Sequence, residues 1–86
     1  MTNSSLTAVE QANKRAEIAQ RQDTAFGVVL IYQQRGGDSD TLTAIGDLMA
    51  DLLHLGDQYG MGDAERFIER ALEHYTAELS ESGILG

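Results

Sequence analysis

Two amphipathic stretches joined by only three residues constrain this chain more than any other feature. In "DSDTLTAIGDLMADLLHLGDQYG", Leu42, Ile45, Leu48, Met49, Leu52, Leu53, Gly56 and Tyr59 fall on one broad side at 100° per residue, and Thr43, Asp47, Asp51, His54 and Gln58 fall opposite. Asp38, Ser39 or Asp40 offers an N-cap, and Gly60 suits the left-handed turn that ends a helix, so the segment predicts a helix over 41–59. "GMGDAERFIERALEHYTAELSES" repeats the logic. Asp63 is its N-cap, Phe67, Ile68, Ala71, Leu72, Tyr75 and Leu79 form its stripe, and Glu65, Arg66, Glu69, Arg70 and Glu73 take the outer face of a helix over 64–80. With only Gly60 to Gly62 between them, the two helices are expected to form an antiparallel hairpin with facing stripes and Tyr75 in its core.

The first third is less sharply patterned. Residues 1–22 read as an N-terminal helix or a flexible arm, and 23–34 as an apolar helix, because "AFGVVLIY" from Ala25 to Tyr32 is apolar all round and a lone strand would have no partner. Asp23 is placed to cap that helix and Gly36-Gly37 to stop it; one helix from about Ser5 to Gln34 and two helices breaking near Asp23 both remain open. Residues 81–86 are expected to fray. The chain contains no proline, so the commonest helix breaker is missing. The expected fold is all-α: a single domain over 1–86, built as a small antiparallel bundle of three or four helices around the central hairpin.

A chain of 86 residues buries only about 60–65% of its unfolded surface, so it folds with little to spare unless a partner helps. Cysteine is absent, which excludes disulfides and thiolate zinc sites and fits a reducing, cytoplasmic setting. The first twenty residues lack a basic stretch followed by an apolar core, so no secretory signal is expected, and no apolar run approaches the roughly 20 residues that cross a membrane. The wide stripes, together with Phe26, Val29, Leu30 and Tyr32, offer more apolar surface than a three-helix monomer covers, which predicts a homodimer. Lys14, Arg15 or Arg21 would then lie near carboxylates of the second chain.

Fourteen acids against six bases leave a net charge of -8, and the excess is uneven. Residues 1–36 hold four bases and three acids; residues 37–86 hold Arg66 and Arg70 against eleven acids, a net charge of -9. Such a distribution disfavours direct contact with nucleic acid or an anionic membrane, whose binding runs on cations, and favours a protein with a basic surface. The candidate contact residues are Asp47, Asp51, Asp57, Glu65, Glu69 and Glu73.

Chemistry has weaker footing. Asp47, Asp51 and His54, at i, i+4 and i+7, share one side of a helix, the geometry a divalent metal or an acid–base pair uses; they form the one weak metal candidate, on a face expected to be solvated. "DSDTLTAIGDLM" starts like a calcium loop but places Leu42, Thr43 and Met49 where a ligand, the glycine and the bidentate glutamate belong. "GMGD" is a connector, since acids surround it, and His74 reads as a boundary side chain beside Arg70 and Glu78. No cofactor is expected.

The helix–glycine turn–helix outline resembles the all-helical nucleotide pyrophosphohydrolases of the MazG type, whose magnesium motifs pair Glu-Glu-x-x-Glu with Glu-x-x-Asp. Asp47 and Asp51 have three residues between them instead of two, and nothing before them supplies the first motif, so that ancestry would imply a protein without the chemistry. The pattern Asp47-Leu48-x-x-Asp51-Leu52-x-His54, then Gly62-Asp63, then His74-Tyr75-x-x-Glu78, resembles small uncharacterised acidic helical proteins of phages and prophages; Ala71 also matches, while Ala64 stands where that group has an aromatic residue. The likeness covers about half the chain and implies a mobile-element origin.

These features together predict a non-catalytic, acidic protein-binding module of phage type, comparable in size and charge to anti-CRISPR proteins and other anti-host factors, that docks on a basic site of a host protein. A metal-dependent or decayed MazG-type hydrolase using Asp47, Asp51 and His54, and a homodimeric structural or assembly module, are the alternatives.

Overall fold

Thr7 opens the first helix with a reciprocal cap. Its hydroxyl accepts from the Glu10 backbone N–H at 3.1 Å, and the Glu10 carboxylate accepts from the Thr7 N–H at 2.8 Å, so two of the donors that a helix start leaves unpaired are satisfied. From there a single helix, α1, runs Ala8–Gly36. The computed structural model describes residues 6–37 and 40–83.

The alternative left open by the sequence is thereby resolved: α1 is one helix, and Asp23 lies inside it and caps nothing. No proline interrupts the segment, and the box at Thr7 supplies a complete start immediately before the alanine-rich run that begins at Ala8. Gly37, with φ 80°, ends the helix, its N–H bonding to the Gln33 carbonyl; a side chain in that left-handed region would meet its own backbone.

The second helix, α2, spans Thr41–Gln58, and the third, α3, spans Ala64–Glu81. Asp40 caps α2, its carboxylate accepting from both the N–H and the hydroxyl of Thr43 at 2.8 and 2.6 Å. Asp38 and Ser39, the other candidate caps, lie outside the described residues, as does 84–86 of the tail. Asp63 caps α3 by accepting from the Glu65 N–H at 3.0 Å. Gly60 and Gly62 take φ 80° and 79° in the connection.

The expected central hairpin is not the centre. Both α2 and α3 pack chiefly on α1, and the stripes of the 41–59 and 64–80 segments do not close on each other as a core. Length is one reason: 29 residues of helix reach about 43 Å at 1.5 Å per residue, enough to hold two shorter helices at different ends. The other reason is electrostatic. Lys14 pairs with Glu81 at 3.3 Å, Arg21 pairs with Glu78 at 2.6 Å, and the Arg15 guanidinium donates to the Ser82 carbonyl at 2.6 Å. The basic residues expected to meet a second chain's acids are therefore engaged with α3 of their own chain. They draw the end of α3 to the first half of α1 while α2 lies on the second half. Ser82 is 0% exposed, so the 81–86 segment begins as packed chain and not as frayed chain.

Little is buried. Among the described residues the apolar core consists of Val29 and Ala44. The surface of 6707 Å² exceeds the roughly 5,000 Å² of a folded monomer of this mass, and the radius of gyration of 15.6 Å exceeds the roughly 12 Å of a compact chain this long. Tyr75, expected in the core, is 60% exposed.

Candidate binding surfaces

The rotation of α2 about its own axis decides what the chain presents. Its buried residue is Ala44, with Leu48 half-buried and Asp51 one turn further along the same edge. That edge lies about 100° around the helix from the middle of the stripe. The Tyr32 hydroxyl of α1 donates to the Asp51 carboxylate. Asp51, expected on the face turned to solvent, is thus turned to α1, while Leu42, Ile45, Met49, Leu52 and Tyr59 of the apolar stripe stay exposed.

An open apolar groove of about 680 Å³ results. Phe26 and Val29 of α1 form one wall; Ile45, Leu48, Met49 and Leu52 of α2 form the other. Of the four residues expected to make apolar contact with another chain, Val29 is buried inside this one and Tyr32 is half-buried against α2, while Phe26 and Leu30 remain exposed. Only the last turn of α3 is tied to α1, so Phe67, Ile68, Leu72 and Tyr75 are also uncovered.

The acidic candidates are spread along two helices. Asp47, Asp51, Asp57, Glu65, Glu69 and Glu73 are all exposed, as are His54 and His74. Glu65, Glu69 and Glu73 follow one another at four-residue steps on the side of α3 away from its stripe, forming one acidic row. Among the described residues no group of three or more His, Asp or Glu side chains stands where it could hold a metal ion. Asp47, Asp51 and His54 share a helix edge but converge on no common point, and the Tyr32 hydroxyl bonds to Asp51.

Glu10, Asp40 and Lys14 depart from their ordinary behaviour, each at a helix start or in the latch between α1 and α3. The backbone N–H of Thr7, followed by its hydroxyl, holds the Glu10 carboxyl below its usual value. The hydroxyl of Thr43, followed by its N–H, does the same for Asp40. The carboxylate of Glu81, followed by that of Glu17, raises Lys14. In each case the charged form gains a partner, and the effect is structural.

Sequence reasoning missed the Arg15–Ser82 contact altogether, and no local signal marks it. It also missed the Thr7-x-x-Glu10 box, whose spacing is a local signal for a helix start. No family model, curated protein or solved structure matches the chain. No described helix is long and apolar enough to cross a membrane.

Proposed function

We propose that this chain is a non-catalytic protein-binding module that works as a homodimer and presents an acidic face to a basic site on another protein. The observation that carries the reading is the division of its surface. The exposed apolar stripes of α2 and α3 call for a protein partner, since soluble monomers rarely leave so much contiguous apolar surface open. The acids concentrated in residues 37–86 remain outside those stripes. A net charge of -8 steers such a particle towards cationic surfaces and away from nucleic acid. The resemblance to small phage and prophage proteins supports a role as an anti-host factor, of which anti-CRISPR proteins are one kind.

Reversing Glu65, Glu69 and Glu73 to lysine tests the acidic contact, because these residues lie off the apolar stripe and make no ion pair within the described chain. The triple variant should keep its helical content but lose the host protein that the wild type captures at 50 mM salt, and wild-type capture should weaken at 500 mM as the charges are screened. Capture that ignores both changes would place the contact on the apolar stripes instead. The competing hydrolase reading predicts that millimolar magnesium raises the melting temperature and that Asp51→Ala abolishes the rise; a flat response to magnesium in the wild type counts against it.

A further inference from the structure

The groove between α1 and α2 and the stripe of α3 are complementary surfaces that the chain does not bring together. The groove takes in Gln22 to Val29 on α1 and Thr41 to Leu52 on α2, about 10 and 16 Å of helix, and the α3 stripe from Phe67 to Tyr75 spans about 12 Å. A helix with apolar residues on one side is what such a groove accommodates. The chain's own α3 is held elsewhere, because Lys14, Arg15 and Arg21 fix its end to the opposite half of α1.

We infer that α3 of a second copy fills this groove, with its Phe67, Leu72 and Tyr75 against Met49, Leu52 and Phe26, and that the first copy returns the same contact. The inference rests on the homodimer proposed above and adds which surfaces meet. Area supports a second copy as the occupant. The surface exceeds that of an ordinary monomer of this mass by about 1,700 Å² per chain, so covering about 1,000 Å² of it on each of two copies would reach the roughly 2,000 Å² at which obligate homodimer interfaces begin. A reciprocal exchange also uses both unpartnered faces of each chain and leaves neither stripe over, which is the closure a two-fold pair requires.

The chain has no cysteine, so introduced thiols report the contact without interference. Wild-type protein should have a dimer mass by light scattering at tens of micromolar. Met49→Cys and Leu72→Cys, each oxidised alone, should stay free of covalent dimer, whereas the two refolded together from urea should give a disulfide-linked heterodimer. Covalent dimer from either single variant would overturn the exchange in favour of like helices meeting. A doubly substituted chain that closes its disulfide within itself would overturn it by placing α3 on its own groove. A dimeric wild type that links in no combination would leave the dimer standing without this interface, and a monomeric wild type would remove the dimer itself. Host-protein capture fails or succeeds independently of all these outcomes.

Discussion

The Arg15 guanidinium donates to the carbonyl of Ser82 at 2.6 Å, joining two residues 67 positions apart. Around it, Lys14 and Arg21 pair with Glu81 and Glu78, so one turn of α3 is clasped by two turns of α1. The carbonyls at a helix end have no partner inside the helix, and Arg15 supplies one. Arg15→Ala should lower stability by about 1 kcal/mol, the net worth of a partly exposed charge-assisted bond. Urea unfolding measures the loss. Faster amide exchange in the last turn of α3, with α2 unchanged, would place it at the clasp; uniform acceleration would show that α3 is not separately held.

Tyr32 and Asp51 should be energetically coupled across α1 and α2. Tyr32→Phe and Asp51→Ala should each cost about 0.5–1 kcal/mol, and the double variant should cost less than the two together. Strict additivity in a double-mutant cycle would mean that the bond contributes nothing in solution.

Leu52→Asp separates burial within the chain from burial between chains. Leu52 is half-exposed in one copy, so a charge there should be tolerated by an isolated chain. In the dimer it meets a second stripe, and a loss of about 2 kcal/mol raises the dissociation constant about 30-fold. The wild-type melting temperature should rise with protein concentration, and the variant's should do so only at much higher concentration. A concentration-independent wild type would argue against association altogether.

Removing the α3 cap with Asp63→Ala should cost about 1 kcal/mol, because the first N–H groups of the helix lose their acceptor. Asp63→Ser, which keeps an oxygen acceptor, should recover most of it in the same unfolding measurement.

Stability should fall at both ends of the pH scale for opposite reasons. Glu10 and Asp40 are held below their ordinary values, so their contribution is full above the unfolded carboxyl range and is lost as pH drops through the lowered folded values. Lys14 is raised, so its contribution is full below the unfolded lysine value and is lost as pH climbs through the raised one. Unfolding midpoints across pH 2 to 12 should show both limbs. Glu10→Gln with Asp40→Asn should flatten the acid limb, and Lys14→Met the alkaline one.

The all-α class, the helices α2 and α3 and most of their ends follow from the sequence through short-range chemistry. Asp40 and Asp63 cap as their positions predict, the glycines at 37, 60 and 62 take left-handed turns, and the apolar spacing of 42–59 and 64–79 is helical because side chains three and four apart share a face whatever surrounds them. Only the tertiary structure decided which surface each face meets. The stripe of α2 was legible, but its rotation depends on Ala44 allowing close approach to α1 and on the Tyr32–Asp51 bond, neither of which is encoded by periodicity. The continuity of α1 through Asp23 was left open by periodicity, although the Thr7–Glu10 cap that starts the helix is itself local. The placement of α3 turned on charges at Lys14, Arg15 and Arg21 finding partners more than fifty positions away. Capping and periodicity act over four residues along the chain, whereas pairing between helices selects among several surfaces of similar apolar area, and that choice is made only when the whole chain is in place.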